Sequence, residues 1–498
     1  MNVVEILLSR GEAGCPAVIS GDVSLTYAEL RTEVSRLASA LLVRGMSRGE
    51  RVGLWCENSP FFVIAYLAII RAGFTVVPFQ TDAGRDTLEK IARQAGLGAV
   101  LASRRYAGRL KPWLEEFSVP MIAEPAIRDL PTLQDAKTLP QIDPDRDLAA
   151  LMFTSGSTGE PKGVMVTHRN IECNTSDIVS YMDLTSADRV MVVLPFHYCF
   201  GLSLLHSHLM AGASLVLNNQ FLYPEKVLED IAARECTGLA GVPSTYQILL
   251  RKSRFKDMQF PALRWLQQAG GKLHNPFIQE ILQTFPHIKY YLMYGQTEAT
   301  ARLSYLPPER LRDKLGSIGK GLPSTRLEVL RPDGSPVTPG SDDVGEIVAS
   351  GDNISLGYWN DTPETAKYFR SGKLHTGDLA RVDADGFIFI VEREREMIKS
   401  GGNRVSAKEV EDVVAEIPVV VEVAVIGVPH ELLGEAIKAF VVTVHGATLT
   451  AAEVIEHCRR RLPNFKCPET VEFLDALPHT ASGKVAKRKL TEMAAIAA

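Results

Sequence analysis

From Thr26 to Pro78 the chain alternates two hydrophobic periods, and this alternation limits the possible folds more than any other feature. Thr26-x-x-Glu29 reads as a capping box, after which Leu30, Val34, Leu37 and Leu41 share one helical face until Gly45. A short strand follows over Val52 to Cys56. Ser59-Pro60 then serves as an N-cap and first-turn pair for an apolar helix closed by Gly73, and a second strand lies around Thr75 to Pro78. Strands that alternate with helices build largely parallel sheets covered on both faces. The same texture returns from Val190 to Met293, with apolar strand candidates at Val190 to Leu194, Ser214 to Leu217 and Tyr290 to Met293.

The pattern changes twice further on. From Arg326 to Ile390, short β segments are separated by Pro332-Asp333-Gly334, Pro339-Gly340 and Asp385-Gly386, which predicts an antiparallel, turn-rich region. After the charged stretch Glu392 to Glu396 the pattern resets. A helix capped by Ser406 with Glu409 leads to a Val-rich strand at Val419 to Val428 and another at Ala436 to Val444. The 498 residues, 46% of them hydrophobic, are enough to bury more than one core. The expected class is α/β. A large N-terminal domain of α/β subdomains is expected over residues 1–394, with a β-rich subdomain at about 323–394, and a small α+β C-terminal domain over residues 395–498.

Charge and cysteine usage exclude several classes. The net charge of −5 and the pI near 6.2 give no electrostatic reason to expect a nucleic-acid partner. Seven cysteines are scattered without a C-x-x-C pair, so neither a disulfide framework nor a zinc site is signalled and a reducing cytoplasm is expected. Met1 to Gly14 is too brief and too charged for a signal peptide, and the apolar run Phe61 to Ile70 stops well short of a bilayer span. That run reads as a buried helix, and the chain as a free-standing protein without an integral membrane segment. Its oligomeric state is not legible here.

The most informative segment is Thr154-Ser155-Gly156-Ser157-Thr158-Gly159-Glu160-Pro161-Lys162-Gly163, directly after the apolar strand candidate Leu148 to Phe153. Glycines let backbone N–H groups approach phosphate oxygens, the hydroxyls add donors, and Lys162 adds positive charge. The segment lacks the Gly-Lys-Ser/Thr ending of a Walker loop, which argues against P-loop ATPases and kinases.

This loop resembles the phosphate-binding segment of the adenylate-forming superfamily, which includes acyl-CoA synthetases, nonribosomal adenylation domains and beetle luciferases. Further segments resemble that family in the same order: Tyr294-Gly295-Gln296-Thr297-Glu298-Ala299, Gly345-Glu346 leading to Gly357-Tyr358-Trp359, Thr376-Gly377-Asp378, Arg393 with Ile398 to Gly402, and Thr480 to Lys484. The resemblance implies that Thr297 touches the α-phosphate of ATP and that Glu298 holds Mg2+, a hard cation suited to carboxylate and phosphate oxygens. It implies that Asp378 and Arg393 meet the ribose. It also implies that Ala269-Gly270-Gly271-Lys272-Leu273 faces adenine, with Lys272 where a proline is common. Lys484 becomes the catalytic lysine that bridges the acid and the α-phosphate. After adenylation the small domain would turn about a hinge at Arg395, withdrawing Lys484 and presenting Lys399, Gly401 and Gly402 for the thiol step. Glu392 stands where the family has glycine and Arg395 where it has Asp or Lys, which bears on the second half-reaction.

Leu194 to Gly201 resembles the segment that borders the acyl pocket, with His197 as its gate. Amino-acid-activating relatives place an aspartate after the phenylalanine to pair the substrate ammonium, whereas this chain has His197-Tyr198. A buried ammonium without a carboxylate is costly, so the expected acid lacks an obligatory amino group. The implied activity is ATP-dependent formation of acyl-AMP and pyrophosphate followed by transfer to coenzyme A. Two alternatives stay open: loading of the phosphopantetheine thiol of a discrete acyl carrier protein, and a non-catalytic acyl- or nucleotide-binding protein.

Overall fold

The helix after Thr26, preceded by a short one over Val3–Leu7, begins as its capping box requires. In the computed structural model the Thr26 hydroxyl accepts the Glu29 N–H, and the Glu29 carboxylate accepts the Thr26 N–H at 2.8 Å. Residues 1–127, 139–155, 160–391, 397–480 and 485–497 are described. The Tyr27–Val43 helix buries Leu30, Val34, Leu37 and Leu41 against the Pro60–Arg71 helix. The latter is apolar nearly all round because it lies inside the largest core cluster.

Two α/β sheets form the body. The six-stranded sheet orders Met121–Ala123, Leu97–Ala102, Arg51–Trp55, Thr75–Pro78, Leu148–Ser155 and Pro161–Thr167, and only the last pair is antiparallel. In the eight-stranded sheet, Lys289–Tyr294, Trp265–Gln268, Gly238–Gly241, Arg189–Val192, Ser214–Leu217 and Pro16–Ser20 run parallel. Ser304–Leu306 and Val23–Thr26 pair antiparallel at its two edges. The strand expected to reach Leu194 ends at Val192, just before Leu194-Pro195, where proline cannot supply a ladder donor.

The region from Arg326 to Val391 is a five-stranded antiparallel sheet whose turns place Gly334, Gly340 and Gly386 at positive φ. A fourth sheet, of five strands, centres on the long hairpin Val420–His430 and Gly434–Thr443, which runs past Val428 because pairing continues to His430 opposite Gly434. The Ala407–Val414 helix packs on it, and Ser406 accepts the Glu409 N–H at its start. One core cluster extends from Leu239, Tyr246 and Phe277 of the body to Val410, Val423 and Val441 of this C-terminal unit. Among the described residues, no helix is long and apolar enough to cross a membrane.

Candidate active site

The parallel strands of the eight-stranded sheet aim three sequence motifs at one rim. Lys289–Tyr294 delivers Tyr294 to Glu298, the neighbouring Trp265–Gln268 delivers Gly270 and Gly271, and Arg189–Val192 delivers Pro195 to Cys199. Ligands of open α/β sheets collect outside the carboxyl ends of such strands. The loop after Tyr294 turns tightly: a Cβ on Gly295 would lie 1.9 Å from the Ala301 carbonyl oxygen, so only glycine fits. Gly270 has φ +87° and faces Val242 and the Tyr198 hydroxyl, while Gly271 lies against Pro243. These glycines leave a flat backbone ledge beside the rim. Gln296 Nε2 is buried there without a hydrogen-bond partner, a donor that a bound polar ligand would satisfy.

Two tyrosines orient the carboxylates. The Tyr294 hydroxyl donates to Asp378 Oδ2 at 2.7 Å, joining the Tyr-Gly-Gln-Thr-Glu loop to the antiparallel sheet. Asp378 sits at a register break, because the pairing of Glu346 with Leu379 jumps to that of Val348 with His375. Gly377, at φ +73°, donates its N–H to Glu346 Oε1 at 3.0 Å within this bulge. Bulges re-aim side chains in this way near sites. The Tyr358 hydroxyl donates to Glu298 Oε1 at 2.8 Å, and burial, with the Glu298 charge beside it, holds the Tyr358 hydroxyl far above its ordinary pKa. One carboxylate oxygen of Glu298 is thereby held, while no described side chain donates to Oε2. No cluster of three potential metal-binding side chains occurs among the described residues. The arrangement fits a cation that takes one protein carboxylate oxygen and completes its shell with phosphate and water.

Thr297 is buried and its hydroxyl lies 3.5 Å from Cys199 Sγ, at the head of the Cys199–Ala211 helix. Burial pushes His197 down to about 4, against the pull of Asp82, so its imidazole is neutral near pH 7. Thr154 lies on the Leu148–Ser155 strand, its hydroxyl 3.5 Å from the Lys162 carbonyl oxygen of the edge strand, and the Ser155 backbone pairs with Pro161. Lys162 extends from the partner strand, donating to Glu364 and lying 5.5 Å from the Tyr358 ring centroid. Gly156, Ser157, Thr158, Gly159, Glu392, Arg393, Arg395 and Lys484 lie outside the described residues.

In the C-terminal unit, Ile398–Ser400 and Asn403–Val405 form a hairpin whose Gly401 and Gly402 both have positive φ, as a tight two-residue turn demands. The Lys399 N–H donates to Glu435 at 2.6 Å. The segment that carries Lys484 is bracketed by a β-bridge between His479 and Val485. Lys272 is not turned to the glycine ledge: its ammonium pairs with Asp412 of the Ala407–Val414 helix, and His274 pairs with the same carboxylate at 2.6 Å. The sequence reading assigned no role to Tyr358 or Asp412. Tyr358 stood inside the motif Gly357-Tyr358-Trp359, whereas Asp412 carried no local signal.

Residues 9–359 match the AMP-binding enzyme family, and residues 409–484 match the AMP-binding enzyme C-terminal domain. The chain is 34% identical to a feruloyl-CoA synthase of Amycolatopsis sp, over 95% of this chain and 94% of the relative. Its fold matches o-succinylbenzoate CoA synthetase from Bacillus subtilis, solved with an acyl-adenylate intermediate, at TM-score 0.85 and 27% identity over 98% and 97% of the two chains. It also matches ATP-bound MatB from Rhodopseudomonas palustris at TM-score 0.88 and 30% identity over 99% and 98%. The Bacillus enzyme is also solved with ATP and magnesium ion.

Proposed function

Since the chain belongs to the AMP-binding enzyme family and is an AMP-forming acid–thiol ligase, we propose how its own residues divide the two half-reactions. In the first, a carboxylate oxygen attacks the α-phosphorus of ATP and the bond to pyrophosphate breaks. In the second, the thiol sulfur of coenzyme A attacks the acyl carbon and the bond to AMP breaks. The observation that carries the assignment is the pair of tyrosine–carboxylate contacts, Tyr294 to Asp378 and Tyr358 to Glu298, at one sheet rim.

Asp378, held by Tyr294 and the bulge, accepts the ribose hydroxyls, with Arg393 beside the same sugar. Gly270 and Gly271 present the ledge for adenine, and Tyr294, Gly295 and Gln296 line the way to the phosphates. Thr154, Ser155, Gly156, Ser157, Thr158 and Gly159 cradle pyrophosphate, with Lys162 adding charge at the edge. Thr297 donates to the α-phosphate. Glu298 holds magnesium, which when bound neutralises the phosphate oxygens. Lys484 stabilises the charge that builds between carboxylate and α-phosphate, and neutral His197 borders the acyl group without placing a second charge there.

Residues 1–394 and 395–498 act as two domains. Rotation about Arg395 exchanges Lys484 for the Lys399, Gly401 and Gly402 hairpin before the thiol attacks. The acid has no obligatory amino group, since His197-Tyr198 offers no carboxylate to pair one. A reducing cytoplasm suits the seven cysteines, none joined in a disulfide.

The test incubates the full-length protein with ATP, magnesium, a panel of carboxylic acids, and either coenzyme A or candidate carrier proteins. Acid-dependent pyrophosphate followed by a coenzyme A thioester is expected. Thioester on carrier alone would replace the acceptor, and no pyrophosphate with any acid would leave a binding protein.

A further inference from the structure

Arg302 is one of the largest fully buried side chains, only 1% exposed, yet it forms no ion pair with any described Asp or Glu. Its Nη1 donates to the Tyr181 hydroxyl and to Met293 Sδ, and its Nη2 reaches Ser203 Oγ at 3.4 Å. The guanidinium carbon lies 5.3 Å from the Phe200 ring centroid, and no described residue accepts from Nε–H. A guanidinium carries five N–H donors and a full charge. Hydroxyl, thioether and ring leave that charge without a counter-ion, a costly state in a protein interior.

Ser203 and Asn174, which touch Arg302, are also walls of a narrow cavity whose lining includes Cys199, His206, Thr300 and Ala301. Cys199, Ser203 and His206 follow the i, i+4, i+7 face of the Cys199–Ala211 helix, so the cavity tracks that helix. At one end Cys199 meets the Thr297 hydroxyl, where the reacting carboxylate belongs. One turn along, Ser203 is both a cavity wall and an acceptor for Arg302. Asn174, another wall, accepts the Arg302 backbone N–H at 3.2 Å. Four helical residues rise about 6 Å, close to the span between the two carboxylates of a dicarboxylic acid of roughly five or six carbons. His206 carries no charge to oppose or replace the arginine, since burial lowers it to about 3 and the Tyr66 hydroxyl lies 3.0 Å from Nε2.

We propose that Arg302 is the specificity-determining residue of the acyl pocket, and that it selects short acids bearing a second, distal carboxylate. This rests on the ligase reading above and names its substrate class. The reacting carboxylate lies by Thr297, the chain runs along the Cys199 and Ser203 face, and the distal carboxylate supplies the missing counter-charge.

The experiment measures acid-dependent pyrophosphate release by full-length wild type, Arg302→Met and Arg302→Lys, using glutarate and adipate against pentanoate and hexanoate. ATP binding by calorimetry serves as the folding control. Wild type is expected to favour the dicarboxylates at least about tenfold in kcat/KM. Arg302→Met should lower their kcat/KM about a hundredfold while leaving the monocarboxylates within a few-fold, and Arg302→Lys should restore part of the preference. A wild-type preference for the monocarboxylates overturns the assignment, whether or not the variants fold. So does an equal loss of both series in an Arg302→Met protein that still binds ATP. Turnover of monocarboxylates alone would leave the ligase reading standing without this one, whereas no release with any acid would remove both.

Discussion

The body of the molecule and its C-terminal unit hold their polar groups in opposite ways. In the body, Asp378 is fixed by a bulge in an antiparallel sheet and by Tyr294 from the parallel sheet, while Tyr358 holds Glu298. Each carboxylate is therefore tied to neighbouring strands, and no rearrangement is needed when charge develops. The C-terminal unit instead shares an apolar cluster with the body and meets it through a few polar contacts. There Arg251 donates to the Val420 carbonyl at 3.3 Å, and Lys272 and His274 converge on Asp412. Preorganised groups suit the shared centre proposed above, and a few polar contacts suit the proposed rotation of the C-terminal unit between the half-reactions.

The strongest way to break this contrast is Lys484→Ala. Adenylation should fall by about two to three orders of magnitude, while thioester formation from supplied acyl-adenylate stays within a few-fold, as single-turnover assays of each step would reveal. Equal losses would mean that the two units act as one. Asp378→Asn removes a charged acceptor from the fixed cluster, and should weaken ATP binding about tenfold in calorimetry with both half-reactions falling together. Tyr358→Phe frees Glu298, and should raise the magnesium concentration needed for half-maximal rate several-fold at nearly unchanged ATP affinity.

The contact between the units is open to a finer test. Burial alone would raise Asp412, but its bonds to His274 and Lys272 outweigh that and hold it below its ordinary value. A depressed carboxylate contributes stability above its unfolded pKa, near 4, that is lost as pH falls further. Asp412→Asn should therefore shift the ratio of the two half-reaction rates a few-fold at pH 7, with the difference from wild type shrinking as pH falls below about 4. His479 behaves oppositely, raised by the Glu422 carboxylate 3.1 Å away. Its stabilisation is complete below about pH 6.5 and lost as pH climbs through the raised value. His479→Gln should flatten that alkaline decline in thermal-melt profiles, the smallest of these effects.

Much of the site was legible in the chain because its parts are local. Thr376-Gly377-Asp378 needs a bulge that glycine permits, and Tyr294 to Glu298 needs a tight turn that Gly295 permits, so each writes itself into consecutive residues. Helix starts at Thr26, Ser59 and Ser406 were visible for the same reason, since a cap and its acceptor lie within three residues. Strand ends moved by a residue or two, as at Val192 and His430, where pairing with a distant partner decides how far the ladder runs.

What the chain determined by itself was the succession of elements, the glycine and hydroxyl loops, and the order of the nucleotide motifs, all of which follow from backbone geometry over a few residues. What only the tertiary structure decided was which side chains meet. Tyr358 reaches Glu298 across 60 residues of sequence and Lys272 reaches Asp412 across 140. Arg302 is buried beside Tyr181 and Ser203 without a carboxylate partner among the described residues. Burial and charge pairing depend on distant elements packing together, and no local pattern records them.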